Sequence, residues 1–554
     1  MRTPPPERSP AAIPADDALD SWKEIARYLN RDVRTIQRWE RDRGLPIRRL
    51  PGGDKPAVYA LKSELAAWRQ QGRDVHLISE NADRRLTESA GRPASIAVLP
   101  FEDLSSGRDQ EYLCDGLADE LIHGLSQVPG LRVVARTSAF AFKHKPMDVR
   151  EIARRLNVNA LLEGGLHRSG HQLRITVQLI NAADGYHLWS ERFEGSLDDI
   201  FALEDGIARA TAHKLRIGLS EQTPVVHAFT SDPEVYRLCL QARQRYCETT
   251  RTGTLQAIDY YQQAIDRDPS CAQAWAGLAE CYWDGAEVGF LTAADDLANG
   301  RAAAQRAVRL DPDLAGAHAV LAIYLGVCDF DWESAEREFQ TALQLSPMAP
   351  VVHGRYAMFF LQPHRRMDEA VAHLRLALEA DPLSPLLQSQ FAHLFILRRE
   401  YDRGIEEARH ALALQPRYPA ALAMLGMALV FLGRWQELAD SARQWPEPGE
   451  DNPVFHGGNG WALAVGGEVD KARAILNQLK EPGRYGRTPS WSIAWIHQGL
   501  GEAEEALTWL ERAVRERDPK IVFIPSKPFW DSLRSHPRFH GILRSMRLSP
   551  TAGG

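Results

Sequence analysis

Three textures of hydrophobic and polar positions divide the chain. Between Ser21 and Gly72 the apolar residues come in short runs at helical spacing. Trp22, Ile25, Ala26 and Leu29 form one stripe behind the capping pair Asp20-Ser21, and Val33, Ile36 and Trp39 form a second behind Asp32. From residue 95 the pattern alternates between strand-like and helix-like runs. SIAVLPFEDL and LRVVART predict strands, while EYLCDGLADELIHGLSQV and DVREIARRLN predict amphipathic helices. Strands over 160–167, 172–180 and 186–193 follow, joined by the hairpin signals Ser169-Gly170 and Asp184-Gly185, and a helix over 200–219 closes the region. Beyond residue 230 every apolar period is helical, and a polar residue followed by proline ends each run. These stops are Asp268-Pro269, Asp311-Pro312, Ser346-Pro347, Asp381-Pro382 and Gln415-Pro416, with proline spacings of 43, 35, 35 and 34. The 43 carries an insertion around 284–296. Asp518-Pro519 lies 103 residues further on, with Pro448 and Pro482 where two weaker stops belong.

The first texture predicts two short helices around a turn at Asn30-Arg31, with Arg34, Gln37, Arg38 and Arg41 opposite the buried face of the second. Arginine offers a two-pronged donor to guanine and glutamine serves adenine likewise, while Thr35 sits where a helix start can hold a phosphate. Arg48 and Arg49 precede the turn 51–56, which carries Lys55, and a second short strand over 57–60 makes a basic hairpin suited to flanking phosphates. A helix over 63–70 turns Leu65 and Trp68 inward. The stretch resembles the winged helix-turn-helix of the MerR and excisionase group in Lys23-Glu24-Ile25-Ala26, in Thr35-Ile36-Gln37-Arg38-Trp39-Glu40 and in Gly44-Leu45-Pro46. It departs from that group because no long dimerising coiled coil follows. The resemblance implies double-stranded DNA as partner of residues 20–72.

The second texture predicts an α+β domain with a mixed sheet over 95–222, after a polar tether at 73–94. It is similar to the TolB N-terminal-like domain in Ala97-Val98-Leu99-Pro100-Phe101, Gly116-Leu117-Ala118-Asp119-Glu120, Val134-Ala135-Arg136-Thr137-Ser138, Glu163-Gly164, Gln178-Leu179-Ile180 and Leu188-Trp189-Ser190. That resemblance implies a sensory or coupling role. His167 and His171 read as turn histidines, Asp119, Glu120 and His123 as a surface cluster, and Gly164-Gly165 as a bulge or close-packing point. None of them makes a metal or cofactor site.

A period of 34 residues in paired helices is the tetratricopeptide signature. Trp275, Leu278, Ala279 and Tyr282 carry its first-helix pattern. Ala335, Phe339, Ala342 and Pro347 carry the second-helix pattern, as do Ala370, Leu374, Ala377 and Pro382. No pair buries its core alone, so residues 230–520 are expected to stand as an all-α stack with a concave groove for a protein or peptide partner. Phe529, Trp530, Leu533, Phe539 and Leu543 are expected to close its end within a capping segment at 521–554.

Composition adds three points. The 554 residues exceed what one core organises, so a multidomain chain is expected. The net charge of −7 conceals 18 Lys+Arg against 14 Asp+Glu in residues 1–92, so nucleic acid is attracted to the head and repelled by the acidic remainder. Cys114, Cys239, Cys247, Cys271, Cys281 and Cys328 form no ligand spacing and read as small buried hydrophobes of a reducing compartment. Residues 1–19 are proline-rich, read as a disordered tail and lack a leader's apolar core. The longest apolar run is far short of a membrane span, so a cytoplasmic protein without membrane contact is expected.

The phosphate-loop, zinc-protease and nucleophile-elbow motifs do not occur, so the chain is expected not to be an enzyme and to need no cofactor. The order of head, TolB-like domain and repeats resembles the cytoplasmic plan of CadC-type one-component regulators. We expect a sequence-specific DNA-binding regulator whose body senses a ligand or partner and self-associates, because one small head offers little contact area. The rival is a non-enzymatic repeat scaffold whose head binds protein, or DNA only weakly.

Overall fold

The structure is a computed structural model. It describes residues 18–19, 21–29, 33, 36, 40, 45–49, 58–65, 94–215, 217, 225–226, 229–291, 295–442, 453–482, 484 and 488–549. The chain separates into two compact units, residues 1–93 and 94–554.

In the first unit the helix Trp22–Leu29 starts where the Glu24 N–H donates to the Ser21 hydroxyl at 3.2 Å. Its Ile25 and Ala26 are buried with Ile36, Leu45 and Leu65, the inward face that helical spacing selects. Three strands, β1 (Ala18–Leu19), β2 (Arg48–Arg49) and β3 (Val58–Leu61), form an antiparallel sheet in the order β1-β3-β2. Ala18 and Leu19 therefore belong to the sheet and not to a disordered tail, because β3 offers them a free edge.

The second unit opens with a mixed sheet. β4 (Ala94–Val98), β6 (Leu131–Val133), β7 (Ala160–Ser169), β8 (Gln172–Asn181) and β9 (His187–Ser196) run in the order β6-β4-β7-β8-β9, and β5 (Glu102–Asp103) pairs with β7. β4 is parallel to β6 and β7, whereas β7-β8-β9 is an antiparallel meander. The helices Glu111–Ser126 and Ile200–Lys214 cover one face, packing Leu117, Leu121 and Ile207 on Leu173, Ile175 and Val177. Helix Val149–Leu156 covers the other face beside Ala97, Leu161 and Ile180. The mixed sheet expected of an α+β domain is present, in an α/β region with helices on both of its faces. The last helix stops at Lys214, and the short helix Arg136–Phe140 is too brief to leave a periodic signal.

Paired helices fill the remainder, from Pro233–Tyr246 with Arg251–Arg267 to Ser490–Gly499 with Ala503–Arg515. The second helices end at Arg267, Leu310, Leu345, Ala380 and Leu414, each one residue before the polar-Pro stop that the sequence marks. A second beat keeps the period where the prolines thin out. Arg365, Arg399, Gly433, Gly467 and Gly501, 34 residues apart in turn, take positive φ in the turn between the two helices of a pair. Glycine enters that conformation without strain, so Gly433, Gly467 and Gly501 mark the three later pairs, two of which have only the weaker stops at Pro448 and Pro482.

Gly164 lies within an unbroken β7–β8 register, opposite Val177, so it is not a bulge. A Cβ there would stand 2.3 Å from the Thr176 carbonyl oxygen and 2.5 Å from the Phe101 ring. Gly164→Ala is expected to cost about 1–3 kcal/mol of stability by overpacking. Denaturant unfolding of the two proteins measures it, and equal midpoints would refute the close-packing assignment.

Candidate functional site

Three places gather the side chains that carry charge or chemistry. The first is the hairpin of the head, where Arg48 pairs with Tyr59 and Arg49 with Val58 across β2 and β3. Both guanidinium groups remain about half exposed, at 49% and 52%, and each is braced by a carboxylate: Arg48 by Glu64 at 2.5 Å and Arg49 by Glu40 at 2.8 Å. Exposed pairs of this kind hold a side chain's direction more than they stabilise, so the cations stay available to a phosphate. The structure thus brings Arg48 and Arg49 together on one strand. Arg34, Thr35, Gln37, Arg38, Arg41 and Lys55 lie outside the described residues, as do Trp39 and Trp68.

The second place is the junction between the sheet domain and the repeats, and here two expectations are corrected. His123 is exposed, but Asp119 and Glu120 are not a surface cluster. Arg243, on the first repeat helix Pro233–Tyr246, reaches Asp119 at 2.7 Å and Glu120 at 2.9 Å, and Glu120 is only 5% exposed. Burial opposes the charge on Asp119, yet Arg243 and Arg136 together hold its pKa below the usual range. Beside them the Tyr236 hydroxyl donates to fully buried Glu204 at 2.5 Å. Burial and then the Glu120 carboxylate push the Glu204 pKa well up, which favours a protonated carboxyl there. Cys247 lies on the surface near this junction, with the Arg136 guanidinium 3.1 Å from its sulfur, and Cys328 is only partly buried.

A second bolt joins the same two parts further along the stack. Buried Asp381, one of the helix-ending residues, accepts from the Ser138 N–H at 2.9 Å and from its hydroxyl at 2.5 Å. The Leu383 N–H donates to the same hydroxyl, and the Ala135 N–H donates to the Ala380 carbonyl at 2.9 Å. The sequence gives no sign of the partners of Arg243, Glu204, Tyr236 and Ser138, because these lie 32 to 243 residues away. A local signal did exist: Glu204 stands three and four residues before Ile207 and Ala208, on the apolar stripe of its helix.

The third place is the inner face of the stack. The first helices of the pairs turn Phe359, Gln362, His393, Trp461, Trp491 and Trp495 toward it, and the chain's own segment 517–533 occupies it. Ile521, Val522, Ile524 and Trp530 are fully buried there. Arg517 lies 4.2 Å over the Phe330 ring, and Phe523 and Phe529 pack on Phe359 and on Trp495. Ser526 meets Gln362, the Pro525 carbonyl accepts from Arg365, Asp531 pairs with Arg399, and Lys520 pairs with Glu287. The groove is therefore not open for a peptide along this stretch. The segment does more than close an end, because its aromatic residues find their partners along the inner face. Phe539 and Leu543, from helix Pro537–Ser545, are buried as expected.

Residues 92–209 match the model of the HilA/YgeH-like transcriptional regulator, second domain. The HilA/YgeH-like stretch coincides with the mixed sheet and its helices, and residues 254–315 match a tetratricopeptide repeat model. The chain thus combines a regulator-type α/β domain with repeats of a protein-interaction class. A relative from Rhizobium meliloti (strain 1021), named "Putative adenylate cyclase 3", is 35% identical over 240 residues, which are 42% of this chain and 40% of that one. The chain spans less than half the length of this curated relative. The relative overturns the expectation that the chain is not an enzyme, which rested on missing motifs; a motif search excludes only the chemistries it contains. Among solved structures, Pseudomonas aeruginosa PilF is similar at 20% identity with a TM-score of 0.30, covering 40% of this chain and 96% of that one. A human IFIT1 dimer is similar at 17% identity with a TM-score of 0.39, covering 57% of this chain and 77% of that one.

Within the filled groove, Lys527 is buried with its Nζ 2.6 Å from His393 Nε2. Burial and then neighbouring Lys520 lower its pKa from 10.5 to about 7, while Glu287 opposes the shift. The unfolded chain therefore holds this proton more tightly than the folded one between about pH 7 and 10.5, so stability rises with pH across that window. The slope from this one group is at most about 1.4 kcal/mol per pH unit. Lys527→Met is expected to flatten it. Urea unfolding of both proteins at several pH values in the window tests this, and identical slopes would sink the assignment.

Proposed function

We propose that the chain is a sequence-specific DNA-binding transcriptional regulator of the cytoplasm. Residues 20–72 with strand β1 form a MerR/excisionase-like winged helix-turn-helix head, 73–93 a linker, the sheet domain from Ala94 to about 222 a TolB-like sensing domain, 230–520 the repeats and 521–554 a closing segment. The observation that carries the reading is the match of residues 92–209 to a domain named for transcriptional regulators. Two features support it: the half-exposed Arg48 and Arg49 on the hairpin, and the positive balance of the first 92 residues beside an acidic remainder. None of the described helices is long and apolar enough to cross a membrane. In this reading Arg34, Gln37, Arg38 and Arg41 contact base edges and phosphates, while Thr35, Arg48, Arg49 and Lys55 hold the backbone. The sheet domain and the repeats, bolted together through Arg243 and Asp381, receive the ligand or protein signal as one body. A protein partner takes the faces that segment 517–533 leaves open or displaces that segment.

A second reading follows from the Rhizobium relative: the shared 240 residues belong to a nucleotide-cyclising system, and the chain makes or controls a cyclic nucleotide. Production of cyclic AMP from ATP by the purified full chain, with Mg²⁺ or Mn²⁺ supplied, is the expected outcome of its catalytic form. No product under either metal would confine the reading to control of a separate cyclase.

The DNA-binding reading predicts retardation of genomic fragments carrying the target. Arg34→Ala/Arg38→Ala is expected to weaken binding by roughly tenfold or more, the scale of losing one bidentate base contact. Affinity is also expected to fall steeply as salt rises. A mobility shift equal in wild type and double variant, or a binding curve flat from low to physiological salt, would end this reading.

A further inference from the structure

The mixed sheet ends on β9, and among the described residues no strand pairs with its outer edge. The edge spans ten residues, His187–Ser196. An open edge of this length is a template for another strand unless something guards it. Which backbone groups face outward follows from the register. The Leu197 N–H donates to the His171 carbonyl at 3.0 Å, and antiparallel bonds recur at every second residue. Gly195, Phe193, Glu191 and Trp189 therefore turn their backbone toward β8, while Ser190, Arg192 and Glu194 turn theirs away from it. Ser196 has the same outward parity, and its N–H is taken by Asp199 at 3.3 Å, which ends the free stretch.

The side chains along this edge are charged, and charge on an edge strand commonly blocks pairing. Here the block depends on register. We propose that β9 pairs antiparallel with β9 of a second copy of this chain about a two-fold axis at Phe193, joining the two sheets into one. In that register Arg192 faces the partner's Glu194, Glu194 faces the partner's Arg192, and Phe193 meets the partner's Phe193 in the closer, non-hydrogen-bonded pair. Moving the axis to Glu191, Arg192 or Glu194 sets like charges opposite each other, so the same residues that permit one register exclude its neighbours. The row extends inward, because Arg174 on β8 already pairs with Glu194 at 2.9 Å. Ser190, Arg192 and Glu194 are all exposed, and Arg192 has no ion-pair partner among the described residues. Such an interface is isologous and closes on itself, so it gives a dimer and not a filament. It gives a particle with two heads, yet it rests on the sheet edge alone and stands whether or not the heads bind DNA.

Sedimentation equilibrium of the full chain, without DNA and over a wide concentration range, tests the pairing. Wild type is expected to show a reversible monomer–dimer equilibrium. Arg192→Glu, a change at an exposed position, sets Glu against Glu twice and is expected to raise the dimer dissociation constant about tenfold or more. Arg192→Pro removes an N–H that faces away from β8, so it spares the β8–β9 ladder and is expected to abolish the dimer. The inversion R174E/R192E/E194R restores every opposite-charge pair with its signs exchanged and is expected to restore dimerisation. A wild type that stays monomeric throughout, or a dimer indifferent to Arg192→Glu and Arg192→Pro, overturns the proposal. A triple inversion that fails to recover the dimer overturns the Phe193 register.

Discussion

A stack of paired helices leaves the inner faces of its first helices without a neighbour, and in this chain segment 517–533 supplies one. The segment places Ile521, Val522, Ile524 and Trp530 out of water, and its neighbours Phe523 and Lys520 meet Phe359 and Glu287 far earlier in the chain. Burying an aromatic or branched side chain is worth about 1.5–3 kcal/mol each, so the filling is part of the core and not a loose strap. The rest of the second unit depends on it. It ties successive first helices to one common ligand, which fixes the curvature that nearest-neighbour stacking leaves free. It also explains why Lys527 and His393 can sit buried side by side: the groove around them is closed by chain and not by solvent.

The sheet domain rides on this stack through polar bolts whose members would be costly alone. Glu120 is buried and Asp119 and Arg243 are partly so, and a buried charge without its partner costs several kcal/mol. Pairing across the junction makes the docked arrangement the one in which all three are satisfied. Asp381 does the same at the second bolt, taking both the N–H and the hydroxyl of Ser138. Two such bolts, one on the first repeat helix and one beside the loop after Ala380, resist hinge motion that a single contact would allow. The two parts are therefore held as one body.

The stretch matched by the HilA/YgeH-like model is the part that these bolts hold on the repeats, and a fold does not by itself fix the function that is built on it. In the proposed pairing the β9 edge, which no strand among the described residues covers, is the surface at which association brings two heads together, with Arg192 and Glu194 setting its register.

The sequence by itself determined the elements whose causes are local. Polar-Pro stops fixed the helix ends at Arg267, Leu310, Leu345, Ala380 and Leu414, hairpin glycines fixed the meander, and helical spacing fixed the buried faces of Ile25 and Ile36. Even the beat of Gly433, Gly467 and Gly501 was present to be read, since positive φ leaves a residue-type signature. It placed two basic residues of the head, Arg48 and Arg49, correctly on a strand. Tertiary structure alone decided which charges are paired and drawn inward, because Glu120 and Arg243 are each ordinary surface residue types until a fold brings them together over 123 positions. It alone decided that the groove is filled and not open, because a segment rich in Ile, Phe and Trp is equally suited to capping an end or lining an interior. Local pattern carries the periodicity of an element, and the identity of the surface that element meets is a property of the whole chain.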